Sequence, residues 1–170
     1  MNEVPLHGDL QIDQDLAFSH REWRVQRLGW LLMVLFIVGA ALGLFGGGPL
    51  SMARTGTADG RLAIEYDRIA RHEGPDLLRL EIAPEAVING TVRLWFDRAY
   101  MLDRTIASIS PEPERSVAAD DRLVFEFHVA DPAGRTLIEF HTKPGAIWRQ
   151  SGSAGIVGGD SLRFSQFVLP

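Results

Sequence analysis

The longest hydrophobic stretch in the chain runs from Leu28 to Ala53 and contains no charged residue. A helix rises 1.5 Å per residue, so about 20 such residues cross the roughly 30 Å hydrocarbon core of a bilayer. The pattern therefore predicts one transmembrane helix with its basic flanking turn within residues 19–50, after a short polar tail over residues 1–18.

Two local signals predict the ends of this helix. Ser19 and Glu22 have the spacing of an N-terminal capping box. Three glycines, Gly46–Gly48, precede Pro49, and glycine followed by proline is typical of a helix end because proline cannot continue the hydrogen-bond ladder. We expect one helix from about Ser19 to Gly46.

Basic and aromatic residues mark the N-terminal flank of the apolar core. They are Arg21, Trp23, Arg24, Arg27 and Trp30. The opposite flank carries only Arg54 in its first ten residues. Because arginine flanks stay in the cytoplasm and tryptophan favours the membrane interface, this asymmetry predicts a cytoplasmic N-terminus in the bacterial inner membrane. The C-terminal domain is then periplasmic or extracellular.

A cleaved signal peptide is the alternative interpretation of the apolar stretch. Signal peptides have a short basic n-region, an apolar core of about 7–15 residues and a small-residue cleavage site. Here 27 residues with five acidic side chains precede a longer core, and Gly-Gly-Gly-Pro is a poor cleavage site. These features favour a retained anchor.

Small residues recur along one face of the predicted helix. Gly39, Gly43 and Gly47 lie four residues apart, with Ala40 beside the first of them. Such spacing lets a second helix approach closely, so it predicts a helix-packing face for a partner or a second copy. A lipid-facing helix with incidental glycines is the alternative, since glycine is common in membrane helices.

Beyond a linker over residues 51–60, the period of the hydrophobic pattern changes to two. Strict alternation predicts strands with one buried face, and short strands separated by turn residues are typical of an antiparallel β-sandwich, here over residues 61–170. The glycine-rich segment Gly152–Gly159 is predicted to be a loop. The alternating segments are 62–67, 77–82, 92–97, 125–129, 136–141 and 162–168.

Two turns can be predicted from their residues. Asn89-Gly90 between apolar residues indicates a tight β-hairpin. The segment Asp131–Gly134 fits a type I turn, and a hairpin closed by it pairs Phe127 with Ile138. In that register one face collects the apolar side chains of both strands: Phe125, Phe127, Val129, Thr136, Ile138 and Phe140.

The same predicted hairpin places Glu126, His128, Glu139 and His141 together on the opposite face. Two carboxylates and two imidazoles are suitable ligands for zinc or another divalent cation. A solvated outer face is the alternative, because Glu and His are ordinary residues there.

Several strands carry apolar residues on both faces, which happens where a strand is covered twice or where a partner docks. The out-of-phase apolar residues are Leu77, Trp95, Leu137, Phe167 and Leu169. The apolar C-terminal segment is expected to pair as a strand, and insertion into a partner is the alternative.

Composition excludes some functions. The chain has no cysteine, so it has no disulfide, thiolate metal site or cysteine nucleophile. Its net charge is −5 with no basic domain, which argues against nucleic acid as a partner. We find no nucleophile elbow, zinc-protease motif, phosphate loop or dinucleotide fingerprint, so we predict neither an enzyme nor a bound cofactor.

The layout resembles small bacterial single-pass membrane proteins with an extracytoplasmic β domain. Arg-Glu-Trp-Arg precedes the helix, Gly-Gly-Gly-Pro-Leu-Ser follows it, and Phe-Val-Leu-Pro ends the chain. The resemblance implies no activity, cofactor or catalytic residue. We therefore predict a non-catalytic accessory or assembly subunit whose partners are the bilayer and other membrane subunits, or a second copy. The alternative is a tethered metal- or ligand-binding module that uses the Glu/His face.

Overall fold

The computed structural model of the protein describes residues 16–43 and 51–170. The residues divide into two compact units, one up to Ala40 and one from Ala41 onward. The first unit is a helix and the second contains a β-sandwich, so the predicted fold class is confirmed. The tail over residues 1–15 and the segment 44–50 lie outside the described residues.

Helix α1 spans Leu16–Ala41, so it begins before the predicted cap at Ser19 and ends about five residues earlier than expected. Its segment Glu22–Ala41 is long and apolar enough to cross a membrane. Apolar side chains are exposed all around this segment.

The early end of α1 corrects the predicted glycine face. Gly39 and Ala40 lie on the helix, but Gly43 follows its last residue and has a φ of +87°. This left-handed conformation is typical of the glycine that ends a helix, because glycine adopts it without steric cost. Gly43 is therefore not part of a helical face, and Gly47 lies outside the described residues.

All five predicted interface residues, Arg21, Trp23, Arg24, Arg27 and Trp30, lie within α1. The guanidinium carbon of Arg27 lies 3.4 Å from the centroid of the Trp23 ring. This contact joins side chains one helical turn apart, and the cation is attracted by the face of the indole ring.

Eleven strands in the described residues form two sheets. The first sheet has five antiparallel strands in the order β1-β2-β4-β9-β6, and the second has six in the order β3-β11-β10-β5-β8-β7, where only β3 and β11 run parallel. A short helix α2, Arg98–Leu102, follows β5. The strands are β1 Met52–Gly56, β2 Leu62–Asp67, β3 Ile69–Arg71, β4 Asp76–Ile82, β5 Thr91–Asp97, β6 Arg104–Ser110, β7 Arg115–Ala118, β8 Arg122–His128, β9 Thr136–Pro144, β10 Trp148–Ile156 and β11 Ser161–Leu169.

All six alternating segments are strands, but the predicted linker and glycine-rich loop are partly wrong. Strand β1 occupies part of residues 51–60, and β10 continues through the glycine-rich segment to Ile156. Strand β10 has no alternating hydrophobic pattern in its sequence, because small residues occupy positions where large side chains from neighbouring elements fill the space. Trp95 covers Gly155, and the Tyr100 ring covers Gly152.

The hairpin predicted across Asp131–Gly134 is wrong, although its core residues are buried. Strand β8 pairs with β5 and β7, whereas β9 pairs with β4 and β6. The turn therefore connects the two sheets rather than two paired strands. Phe125 and Phe140 contact each other across the core, with their ring centroids 5.2 Å apart in an edge-to-face arrangement.

The predicted turn at Asn89-Gly90 is present. Both residues have positive φ, 52° and 74°, and Ile88 exchanges two backbone hydrogen bonds with Thr91. Only this one bridge precedes β5, because β4 has already ended at Ile82 and a short 3-10 helix follows it.

Gly152 tests how tightly the β-sandwich is packed. A Cβ at this position would lie 2.6 Å from Cγ of Tyr100, so Gly152→Ala must displace a buried ring. We expect it to lower the free energy of unfolding by about 1–3 kcal/mol. Gly159→Ala is the control, since its Cβ meets nothing closer than 3.6 Å. Thermal unfolding of the full chain in detergent, followed by β-sheet circular dichroism, compares them; equal midpoints would contradict the packing described here.

Candidate functional site

The four residues predicted to bind a metal do not come together. Glu126 and His128 lie on the outer face of the second sheet, whereas Glu139 and His141 lie on the outer face of the first. No cluster of three or more metal-ligating side chains occurs in residues 16–43 and 51–170. The metal site was predicted from the wrong pairing of β8 with β9, and it is wrong for the same reason.

The outer face of the first sheet is instead covered by ion pairs. Glu81 lies between Arg54 and Arg135 and pairs with both, and Nε of Arg79 donates to Glu139 over 2.9 Å. Such exposed cross-strand pairs satisfy each other's charge and contribute little stability. This face has the properties of a solvated surface.

A network of polar side chains is buried between the two sheets at one end of the sandwich. The guanidinium of Arg104 on β6 donates to Asp76 of β4 over 2.8 Å, and both side chains are fully buried. The same guanidinium donates to Gln150 of β10 and Gln166 of β11 over 3.1 and 2.9 Å. It therefore joins the first sheet to the second.

The remaining members of the network satisfy most of its polar groups. Thr142 accepts from Arg104, and the Gln166 amide donates to Asp76 over 3.1 Å. The Tyr100 hydroxyl donates to the Gln166 carbonyl oxygen over 2.6 Å, while its ring lies 3.9 Å from the Arg104 guanidinium carbon. Buried polar groups are costly unless they are paired in this way, so the network fixes how the two sheets meet.

One signal of this network is visible in the sequence, in the phase of the alternation. Gln166 stands between Phe164 and Val168 on the inward face of β11, and Thr142 follows Phe140 inward on β9. A polar residue at an inward position of an otherwise apolar pattern indicates a buried hydrogen-bonding group.

The network lies at the end of the sandwich where the chain enters the domain, which we call the tether end. Oγ of Ser51 donates to the carbonyl oxygen of Ile69 over 3.1 Å, and the same serine's carbonyl accepts from the Arg68 amide. Ile69 pairs with Phe167, which directly follows Gln166 of the network. Strands β10 and β11 meet at this end through the pairing of Trp148 with Val168.

Exposed aromatic side chains cover the tether end. Trp148 is 58% exposed and Phe167 is 41% exposed, and their ring centroids lie 5.9 Å apart. We call Ile147, Trp148 and Phe167 the aromatic surface. Large apolar side chains clustered in the open are typical of a binding surface. Of the predicted second-face apolar residues, Phe167 belongs to this surface, whereas Trp95 is buried over Gly155 and beneath Arg122.

Trp148 also has a strained backbone, with a φ of +73°. A bulky residue in the left-handed region costs about 1–3 kcal/mol and is found where the surrounding structure holds it for a function. The aromatic surface of the tether end is therefore our candidate functional site. Sequence reasoning selected Phe167 but not Trp148, because positive φ has no signal in the sequence at a tryptophan.

Removing Asp76 tests the buried ion pair. Asp76→Ala leaves the Arg104 charge buried without its partner, and we expect a loss of about 3–5 kcal/mol in the free energy of unfolding. Glu139→Ala breaks a partly exposed pair at the surface and should cost much less, about 1 kcal/mol. Urea unfolding of both variants in detergent measures the difference, and similar losses would show that the buried pair does not support the fold.

Tyr100 predicts a pH dependence of stability. Burial raises the pKa of its phenol well above the usual range, despite the opposing effect of the Arg104 charge. The folded state therefore keeps a proton that the unfolded state loses above its ordinary pKa of about 10. Stability should fall as pH rises above about 10, and Tyr100→Phe should flatten this fall. Urea unfolding of both proteins across pH 8–11 measures the two slopes; identical slopes would exclude Tyr100 as their origin.

No protein-family model matches the chain, and no curated protein matches its sequence. The function is therefore argued from the tether end and the apolar helix.

Proposed function

We propose that this protein is a non-catalytic accessory subunit of a membrane protein complex. Its apolar helix is a retained anchor in the bacterial cytoplasmic membrane, with the N-terminus in the cytoplasm and the β-sandwich on the opposite side. Arginines before the apolar core and a single one soon after it support this orientation. The length and hydropathy of Glu22–Ala41 support the anchor.

The observation that carries the proposal is the exposed Trp148–Phe167 pair on a strained backbone at the tether end. Tryptophan is a frequent centre of protein interfaces, since it offers a large apolar surface and has few rotatable bonds. We infer that the pair fits an apolar recess on the extracytoplasmic side of a membrane-embedded partner.

The arrangement of polar groups supports binding rather than catalysis. In the described part of the chain, the carboxylates of Glu81 and Glu139 are engaged in surface pairs, and the fully buried Asp76 is saturated by Arg104 and Gln166. A catalytic base must reach the proton that it abstracts. These carboxylates instead hold strands and sheets together.

Affinity purification of the intact protein from native membranes in mild detergent tests the proposal. A defined set of membrane proteins should accompany the wild-type chain, and Trp148→Gly should release it. Loss of an interfacial tryptophan commonly costs 2 kcal/mol or more, or about 30-fold in affinity. Glycine adopts positive φ freely, so this variant removes the contact while relieving backbone strain.

The control is Ile88→Ser, which removes an apolar side chain that is 70% exposed at the opposite end of the sandwich. It should leave the complex intact. The intact mass of the purified chain shows in the same experiment whether the helix is retained. A protein that is purified alone, or a partner retained equally by wild type and Trp148→Gly, would refute the proposed role of the aromatic surface.

A further inference from the structure

A cationic groove runs from the aromatic surface along the outside of β10 and β11. Tyr66, Arg68, Arg149 and Ser165 line its part nearest the tether end. Farther along, Arg163 and the hydroxyls of two more serines, Ser151 and Ser153, continue it. We call these residues the arginine groove. Guanidinium and hydroxyl groups together form the donor set that suits a phosphate, since guanidinium can donate two parallel hydrogen bonds to its oxygens.

The arginines of the groove lack acidic partners. Among the residues that the structure describes, no carboxylate lies within 4 Å of the side-chain nitrogens of Arg68, Arg149 or Arg163. This contrasts with the first sheet, where Arg54, Arg79 and Arg135 are all paired. Three cations gathered around one groove without counter-ions repel one another, and an anionic ligand would remove that repulsion.

One acidic residue, Asp97, lines the far part of the groove. Its carboxylate accepts a hydrogen bond from the Ala99 amide over 3.0 Å and caps the start of α2. The part of the groove nearest the tether end has only arginine as its charged lining. A phosphate is therefore favoured there, between Arg68 and Arg149.

The position of the groove indicates the source of the phosphate. The Arg68 amide is hydrogen-bonded to Ser51, where the chain enters the domain, ten residues after Ala41. Ten extended residues reach at most about 36 Å. The covalent connection therefore holds Ser51, and with it Arg68, within that distance of the end of α1 in any orientation of the domain, a limit that the opposite end of the domain does not share.

We propose that the arginine groove binds the phosphates of anionic lipid headgroups in the membrane that holds the anchor. This inference rests on the membrane anchor of the proposed function but not on its protein partner. Arg68 and Arg149 contact the headgroup phosphate, as basic side chains do at an anionic membrane surface, and Ile147 lies at the level of the headgroups beside them. Lipid binding orients the β-sandwich with its tether end toward the bilayer.

The absence of cysteine makes a direct test possible, since one introduced cysteine can be labelled without side reactions. The full-length chain carries a nitroxide at Ile147→Cys or, as the control, at Ile88→Cys, and is placed in nanodiscs of phosphatidylcholine with or without phosphatidylglycerol. Collision rates with a water-soluble nickel complex and with oxygen report the depth of each label. With phosphatidylglycerol, the label at residue 147 should become shielded from nickel and accessible to oxygen, while the label at residue 88 should not change.

Two charge-matched double variants identify the residues responsible. Arg68→Gln with Arg149→Gln should abolish the shielding, because each arginine at an anionic surface contributes about fivefold to association. Arg54→Gln with Arg135→Gln removes the same charge from the first sheet and should have no effect. Circular dichroism of both variants confirms that the domain is folded.

Three outcomes would overturn the lipid assignment. They are equal shielding with and without phosphatidylglycerol, equal loss in both double variants, or a spectral change at residue 147 with inorganic phosphate that anionic lipid does not reproduce. None of them bears on the partner, because the purification test of Trp148→Gly stands separately. Conversely, if the protein binds anionic nanodiscs as described but is purified alone, the proposed partner is refuted and the lipid site is not.

Discussion

The buried ion pair between Arg104 and Asp76 is the constraint on which the tether end depends. A charged pair removed from water gains little net stability by itself, and either partner alone is strongly unfavourable. Here the guanidinium also binds Gln150 and Gln166 of the opposite sheet, so its requirements are met only when both sheets are correctly placed. Apolar contacts in the rest of the core carry no directional requirement, whereas the hydrogen bonds of this network need specific distances and angles.

The aromatic surface is built on the strands that the network fixes. Trp148 lies two residues before Gln150, and Phe167 directly follows Gln166. A tryptophan with positive φ persists only where neighbouring structure over-determines the backbone. The buried hydrogen bonds of Gln150 and Gln166 provide that restraint on the inward side of the sheet, and the pairing of Trp148 with Val168 provides it within the sheet. The buried polar network therefore holds the backbone that presents the exposed Trp148 and Phe167 side chains.

Much of the fold could be predicted from the sequence, because alternation reports directly which side chains face inward. The six alternating segments are strands, and Phe125, Phe127, Ile138 and Phe140 are buried as their phase requires. Phase does not report which strand is the neighbour. Strands β8 and β9 send their apolar side chains toward the same core whether they pair in one sheet or face each other from two, and the turn residues fit both. The candidate metal site depended on the pairing of β8 with β9, so the prediction of the site was wrong together with the pairing.

Strand β10 was missed for a different reason. Its Gly152 and Gly155 make room for Tyr100 and Trp95, and these large partners lie far away in the sequence.

The net charge of −5 conceals how differently charge is used on the two sheets. On the outer face of the first sheet, Arg54, Arg79 and Arg135 each meet a glutamate within hydrogen-bonding distance, so these charges largely cancel at short range. Along the groove of the second sheet, Arg68, Arg149 and Arg163 form no ion pair in the described part of the chain, and the one carboxylate in the lining, Asp97, lies in the far part and caps α2. Because salt screens electrostatic interactions within about 10 Å, a ligand interacts mainly with the charges in the surface that it contacts, not with the net charge of the chain. A chain with an acidic total can therefore present a cationic surface, and here that surface begins at the tether end of the domain.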